Sequence, residues 1–260
     1  MATAARQAQF TKPICDPAGR WFFVGMVLAM IAVSIAGFLP AIIDPATRRA
    51  PLSPLAAAHG IVFIMWLLLY LAQSLLVATR RVALHRRLGL TSVVLLALMI
   101  TIGFTTTTAM VRRGFDLSGD QHVDPHADGQ TALDAPTASV FNFAALLAFT
   151  ILAVAAIGYR RRPDVHKRLM LFANVALMAA PIAHLVGHIP SLGETPATLA
   201  IIILNISFLL APVARDYLIE RRIRFLTAAL AIGSFAWGVL QAFMIGPSGA
   251  WRGFAEWISQ

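Results

Sequence analysis

The sequence predicts an all-α integral membrane protein with seven transmembrane helices, and three observations carry that prediction. Hydrophobic residues make up 58% of the chain and charged residues 13%, with a mean hydropathy of +0.75, whereas about a quarter of the residues of a soluble domain are charged. Seven apolar runs, at 21–43, 55–79, 88–110, 140–159, 168–189, 197–214 and 225–245, approach or exceed the roughly 20 helical residues needed to cross a hydrocarbon core of about 30 Å. Finally, the segment Arg80-Arg81-Val82-Ala83-Leu84-His85-Arg86-Arg87-Leu88 recurs 81 residues later as Arg161-Arg162-Pro163-Asp164-Val165-His166-Lys167-Arg168-Leu169. Each copy ends one apolar run and opens the next. The repeat unit is therefore a pair of membrane helices joined by a basic turn.

Residues 1–20 form an N-terminal segment ahead of the first run. That run, about 23 residues long, exceeds a typical signal h-region and has no convincing small-x-small cleavage site after it, so it is expected to be a retained helix. Cys15 is the one cysteine, which excludes an intrachain disulfide and a thiolate cluster and leaves a free thiol. Most connections are short, as between antiparallel neighbours. The exception is 111–139, an outer loop carrying Asp116, Asp120, Asp124, Asp128 and Asp134 among Gly, Pro and Ser; a loop of this length is usually functional or disordered. Residues 246–260 form an outer tail.

A formal charge of +9 and a pI near 11.1 suggest nucleic acid in a soluble protein, but in a membrane protein the position of each charge decides. With the N-terminus inside, 16 of the 21 basic residues face the cytoplasm: Arg6, Lys12, Arg20, Arg80, Arg81, Arg86, Arg87, Arg160 to Arg162, Lys167, Arg168, Arg215, Arg221, Arg222 and Arg224. Arg48, Arg49, Arg112, Arg113 and Arg252 face outward. This asymmetry predicts the topology N-in, C-out; the expected location is the bacterial inner membrane, which makes the N-terminus cytoplasmic and the C-terminus periplasmic. Its expected partners are the lipid bilayer, with anionic headgroups, and no nucleic acid.

Because the repeat unit holds two helices, both copies enter the bilayer from the same side as parallel repeats. The expected architecture is a pseudo-symmetric four-helix core of spans two to five, with spans one, six and seven around it. His85 and His166 then share one depth and approach each other at the cytoplasmic end. Two basic turns that merely fix orientation are the plain alternative, although arginines alone suffice for that.

The outer half of the bilayer carries a second group. Span two begins with His59 and continues with Phe63, Trp66, Tyr70 and Gln73 at helical spacing, a semi-polar stripe expected to face the bundle. Span five carries Asn174, Pro181, His184 and His188, the two histidines four apart and on one face. His59, His184 and His188 fall near one depth. His122 and His126 in the loop form a weaker pair. Pro181 is expected to kink span five, Thr105 to Thr108 to bond back onto their own helix, and Asn142, Asn174, Asn205 and Gln241 to make interhelical hydrogen bonds.

Two imidazoles at one depth on facing helices are what a b-type haem takes as axial ligands. The sequence offers His85 with His166 as an inner pair and His59 with His184 or His188 as an outer one, the inner arginines being suited to haem propionates. His166 and His184 are 18 residues apart, about 27 Å along a helix, so either haem would lie near the headgroups. This reading makes the chain an electron-transfer or redox-sensing protein that would serve as a component of a membrane oxidoreductase with a redox partner protein. A second reading uses His59, His184 and His188 as a zinc or copper site with an open position, as in a metal-dependent hydrolase. A third is a non-catalytic bundle for transport or partner stabilisation.

The early intramembrane His59, the turn His85-Arg86-Arg87-Leu88-Gly89 and the turn His166-Lys167-Arg168-Leu169-Met170 together resemble the marks of an uncharacterised family of predicted bacterial membrane proteins, over about half the chain; that family lends no activity. The histidine pattern is distantly similar to the two-haem transmembrane b-type cytochromes, which imply histidines on four consecutive core helices; here span four has Asn142 as its nearest polar residue. Seven spans with an early histidine and a later H-x3-H also resemble the hemolysin-type and ceramidase-type membrane hydrolases, which carry that pair on their last span.

Overall fold

The computed structural model describes residues 17–47, 52–113, 135–189 and 191–259. The expectations for Arg6, Lys12, Cys15, Arg48, Arg49, His122, His126 and most of the outer loop lie outside the described residues. Among the described residues all regular structure is helical: α1 (Pro17–Ile43), a 3₁₀ turn (Pro45–Thr47), α2 (Pro54–Ala78), α3 (Val82–Arg113), α4 (Ala135–Gly158), α5 (Pro163–Ala176), α6 (Ala179–Gly187), α7 (Glu194–Glu220), α8 (Phe225–Leu240) with a π turn (Gln241–Ile245), and α9 (Gly249–Ser259). Seven spans are long and apolar enough to cross a membrane, α5 and α6 together forming the fifth. The outside of the bundle is apolar: Leu90, Ile232 and Phe243 are more than two-thirds exposed, the inverse of a soluble surface. This is a membrane protein.

The third and fifth spans begin earlier than their apolar runs. Hydropathy marks only the hydrocarbon crossing, whereas arginine and histidine continue a helix into the headgroup zone with their polar ends turned to water. Both histidine repeats consequently lie in first helical turns. The local geometry repeats as well: His85 N–H donates to Arg81 O at 3.1 Å, and His166 N–H to Arg162 O at 3.0 Å.

Span five is the centre of the bundle. Of its apolar window 67% is buried, against 17% for span three, its counterpart in the repeat, so the two units are not equivalent in burial. One apolar cluster joins spans two to five through Val62, Trp66, Leu95, Leu96, Met99, Leu146, Phe149, Ala153 and Ala173. A second joins span one to span five through Met26, Met30, Leu171, Val175, Met178 and Ile182, with Leu204 and Phe208 of α7 against it.

Pro181 explains the break between α5 and α6. It has no N–H to give Leu177 O and its ring crowds that carbonyl. The chain tightens just before it, with Leu177 N–H donating to Asn174 O (3.1 Å) and Met178 N–H to Val175 O (3.0 Å). Span one fits against this break through Gly37, where a Cβ would stand 2.5 Å from Pro181 O. Glycine is required there for close approach.

The expected C-terminal tail contains helix α9, which packs on α3 and α4. Trp251, Phe254, Ala255 and Ile258 recur at helical spacing; Ala255 and Ile258 are buried, and Arg112 Nε–H donates to Ile258 O at 3.2 Å.

Candidate functional site

The repeated turns bring their histidines together. The rings of His85, in the first turn of α3, and His166, in the first turn of α5, have centroids 6.3 Å apart and planes at 76°. A direct N–H···N bond of about 2.9 Å, with each ring centre roughly 1.1 Å behind its nitrogen, puts centroids about 5.1 Å apart. Two imidazoles on opposite sides of one metal ion, each bonded at about 2.0 Å, put them about 6.2 Å apart. The observed 6.3 Å is longer than the spacing of directly bonded rings and close in length to that of two rings sharing one ligand atom.

Each ring is held from behind. His166 Nδ1 lies 2.8 Å from Ala156 O; a carbonyl only accepts, so Nδ1 carries the proton and Nε2 keeps its lone pair. A carbonyl holding the far nitrogen is how proteins orient metal-ligating histidines. His85 is held by Gln73 of α2. In the orientation that satisfies all its neighbours, the Gln73 amide nitrogen donates to His85 O (3.1 Å) and His85 Nδ1 (2.5 Å), and its oxygen accepts from Gly89 N–H (3.0 Å). The semi-polar stripe of span two thus ends on the histidine pair. Both histidines are partly exposed, and Arg86, Arg87, Arg161 and Arg162 beside them are exposed.

About two turns inward, Trp66 Nε1–H donates to Asn174 Oδ1 at 2.9 Å, and Asn174 returns its Nδ2 to Met170 O at 2.8 Å. This buried contact fixes span two against span five and makes Asn174 the interhelical polar residue expected. Asn142 reaches Met110 Sδ of α3 at 3.4 Å, whereas Asn205 bonds back to Ile201 O of its own helix. Thr105, Thr107 and Thr108 also bond back. The Tyr70 hydroxyl, Thr106 Oγ1 and His59 Nδ1 are buried without a hydrogen-bond partner, which leaves polar groups inside the bundle for water or a ligand.

The outer histidines are not gathered in this way. His59 stacks on Phe63 of its own helix with centroids 4.1 Å apart, His184 packs on Phe38 of α1 at 4.4 Å, and His188 Nε2 donates to Gly37 O at 2.7 Å. Among the described residues, no group of three or more His, Cys, Asp or Glu side chains is placed to hold a metal ion. The expected convergence of His59, His184 and His188 on zinc or copper is therefore not seen. Equal depth does not imply a common direction around the bundle, and span one supplies partners for two of the three.

No family model, curated protein or solved structure matches the chain. Geometry alone therefore carries the functional argument.

A buried ion network beside His166 is the feature that sequence reasoning missed. Arg168 Nη2 contacts Asp216 at 3.0 Å and its Nε–H donates to Thr227 Oγ1 at 2.8 Å; the Thr227 hydroxyl donates on to Asp216 at 2.5 Å. Arg215 bonds to Asp216 (2.8 Å) and Glu220 (2.5 Å), Glu220 also holds Arg224, and Phe23 of α1 lies under the Arg215 guanidinium. The Glu220 carboxylate, its strongest influence, pushes the Arg224 guanidinium further above its ordinary value. The network ties spans five, six and seven together two residues beyond His166. Its signal was Asp216 with Glu220, two acids one turn apart at the end of an apolar run, opposite arginines assigned only to orientation.

Proposed function

We propose that this chain is a membrane haem protein that passes electrons or senses redox state, with one b-type haem held between His85 and His166. The observation that carries this reading is that the rings of His85 and His166, from two different helices, lie edge to face with centroids 6.3 Å apart, with Nδ1 of His166 held by a carbonyl; these are the two residues that would hold the haem. The residues fit the group: two imidazoles from different helices, with Nδ1 of His166 on a carbonyl so that Nε2 is left to ligate, and His85 beside the Gln73 amide. When bound, haem supplies a one-electron iron couple.

The chain's own residues position and tune that site. Ala156 O holds the His166 proton on Nδ1 and leaves Nε2 as the ligand atom. The Arg168 network fixes the turn that carries His166, and the Trp66–Asn174 bond limits how far spans two and five can separate. Exposed Arg86, Arg87, Arg161 and Arg162 provide charge-assisted donors for propionates and a basic rim for an acidic redox partner protein. The charge asymmetry supports an inner-membrane placement with this end cytoplasmic. A second haem is not part of the proposal, because His59, His184 and His188 are engaged by separate neighbours.

Absorption spectra of the full chain, purified in detergent from haem-replete cells, test the reading. A Soret band that sharpens on dithionite reduction, with a defined α-band, is the expected result. A featureless spectrum with no stoichiometric iron overturns it.

A further inference from the structure

The ion network around Arg168 satisfies its arginines unequally. Arg168 bonds through all three guanidinium nitrogens, to Thr227, to Asp164 O and to Asp216. Among the described residues Arg215 bonds through Nη1 alone, to Asp216 at 2.8 Å and Glu220 at 2.5 Å. Its side chain is 8% exposed, and its Nε is buried without a partner. Nε and Nη2 form one edge of the guanidinium fork, and such an edge grips an oxyanion with two parallel bonds. That edge of Arg215 is unused. A second arginine shows the same deficit: of the five buried side-chain atoms without a partner among the described residues, two are arginine Nε, and the other belongs to Arg20. Buried donors on a charged group are costly to leave unpaired and point to a missing acceptor.

One aromatic ring connects these groups. The Phe23 ring of α1 lies 5.7 Å from the Arg215 guanidinium carbon and 5.8 Å from Lys167 Nζ. Arg20 stands three residues before Phe23, a spacing that shares a helix face. The charges do not balance. Arg20, Lys167, Arg168, Arg215 and Arg224 are set against Asp164, Asp216 and Glu220, so an anion completes the group. Its depth is that of lipid headgroups: Trp21 beside Arg20 and Tyr217 beside Asp216 are half or more exposed, as aromatic residues at a membrane interface are. Farther along the same two helices, Leu28 and Leu210 are exposed, an apolar surface suited to acyl chains.

We propose that Arg20, Lys167 and Arg215 form a binding site for the phosphate of an anionic phospholipid headgroup, between spans one, five and six. The Nε–Nη2 edge of Arg215 takes two phosphate oxygens and Arg20 donates from the α1 side. Lys167, which also holds Asp164 at 2.7 Å and is one-third exposed, adds charge at the entrance. Basic pockets between membrane helices bind headgroups in this way. Free phosphate offers the same oxygens, but only the lipid also covers the apolar surface of α1 and α7. The site stands independently of the haem reading.

Thermal unfolding of the full-length protein, purified in detergent and stripped of lipid, tests the site by titration with phosphatidylglycerol, phosphatidylcholine or inorganic phosphate. Phosphatidylglycerol is expected to raise Tm saturably, and the other two to have little effect. Arg20→Gln lies outside the ion network and is expected to weaken the apparent affinity for phosphatidylglycerol about tenfold, as for one lost charge-assisted hydrogen bond. Arg222→Gln makes the same charge change at an exposed position and is expected to stay within about twofold of wild type. Arg215→Lys keeps the charge without the fork and is expected to lose affinity as Arg20→Gln does; should it fail to fold, Arg20→Gln decides. An equal response to phosphatidylcholine, or equal affinities in Arg20→Gln and Arg222→Gln, overturns the proposal. An equal, Arg20-dependent response to inorganic phosphate overturns the lipid as the source.

Discussion

The two copies of the nine-residue repeat have matching backbones at the histidine and different surroundings. In both, the histidine N–H caps back to the arginine four residues earlier. Seven residues after the start of each copy stands an arginine, Arg87 in the first and Arg168 in the second. Arg87 is exposed, and Arg168 is 3% exposed within an ion network. The helices that follow diverge too: span three runs unbroken along the edge of the bundle, whereas span five is broken before Pro181 and buried by spans on several sides. Duplicated sequence therefore specifies a local turn, and tertiary packing decides what each copy does. One copy sets its imidazole beside Gln73 of α2; the other holds its ring on Ala156 O of α4.

The largest contrast is expected at the paired arginines. Arg168→Ala leaves Asp216 buried beside a reduced set of partners, a class of change that costs about 3–5 kcal/mol, while Arg87→Ala at an exposed position stays within about 0.5 kcal/mol. Thermal or denaturant unfolding in detergent measures both, and equal losses would erase the distinction between the copies. Next comes the embrace of span five by span one. Gly37→Ala forces a methyl into the Pro181 carbonyl, and overpacking of this kind costs about 1–3 kcal/mol. Gly25→Ala, where a Cβ meets nothing, is the matched control, and it should not destabilise the same helix.

A smaller effect separates the two turns. Arg80 holds a left-handed backbone at φ 63°, closing α2 with Arg81 N–H bonded to Leu76 O at 2.7 Å. Arg80→Gly is expected to stabilise by about 1 kcal/mol, since a side chain in that region costs roughly 1–2 kcal/mol. Arg161→Gly has no such strain to relieve and should bring no gain. Trp66→Phe, which removes the donor to Asn174, is expected to cost about 1 kcal/mol and to loosen spans two and five without reordering the turns.

The fold was legible because a membrane reduces the problem to length and hydropathy: apolar runs of about the length needed to cross the hydrocarbon core marked all seven spans. The His85–His166 pair was legible because the repeat fixed both depth and local geometry. The outer histidines were expected to converge because depth was the only coordinate available for His59, His184 and His188; among the described residues they are not gathered, His59 stacking on Phe63 of its own helix while His184 and His188 meet Phe38 and Gly37 of span one, which carry no sequence link to them. The ion network was illegible for a related reason. Arg168, Asp216 and Thr227 lie far apart in sequence, and a charge near a membrane boundary looks the same whether it turns outward to headgroups or inward to a partner. Gln73 was placed on the right face, but its contact with His85 needed the close packing of α2 on α3.

The central claim is that His85 and His166, and not the outer histidines, form the ligand pair. Reduced-minus-oxidised spectra of wild type, His85→Ala, His166→Ala and His184→Ala, normalised to folded protein, test it most directly. The account predicts a b-type spectrum in wild type and His184→Ala, and loss of the low-spin signature in each of the other two. Full retention of that signature in His85→Ala and His166→Ala, with loss in His184→Ala, would contradict it.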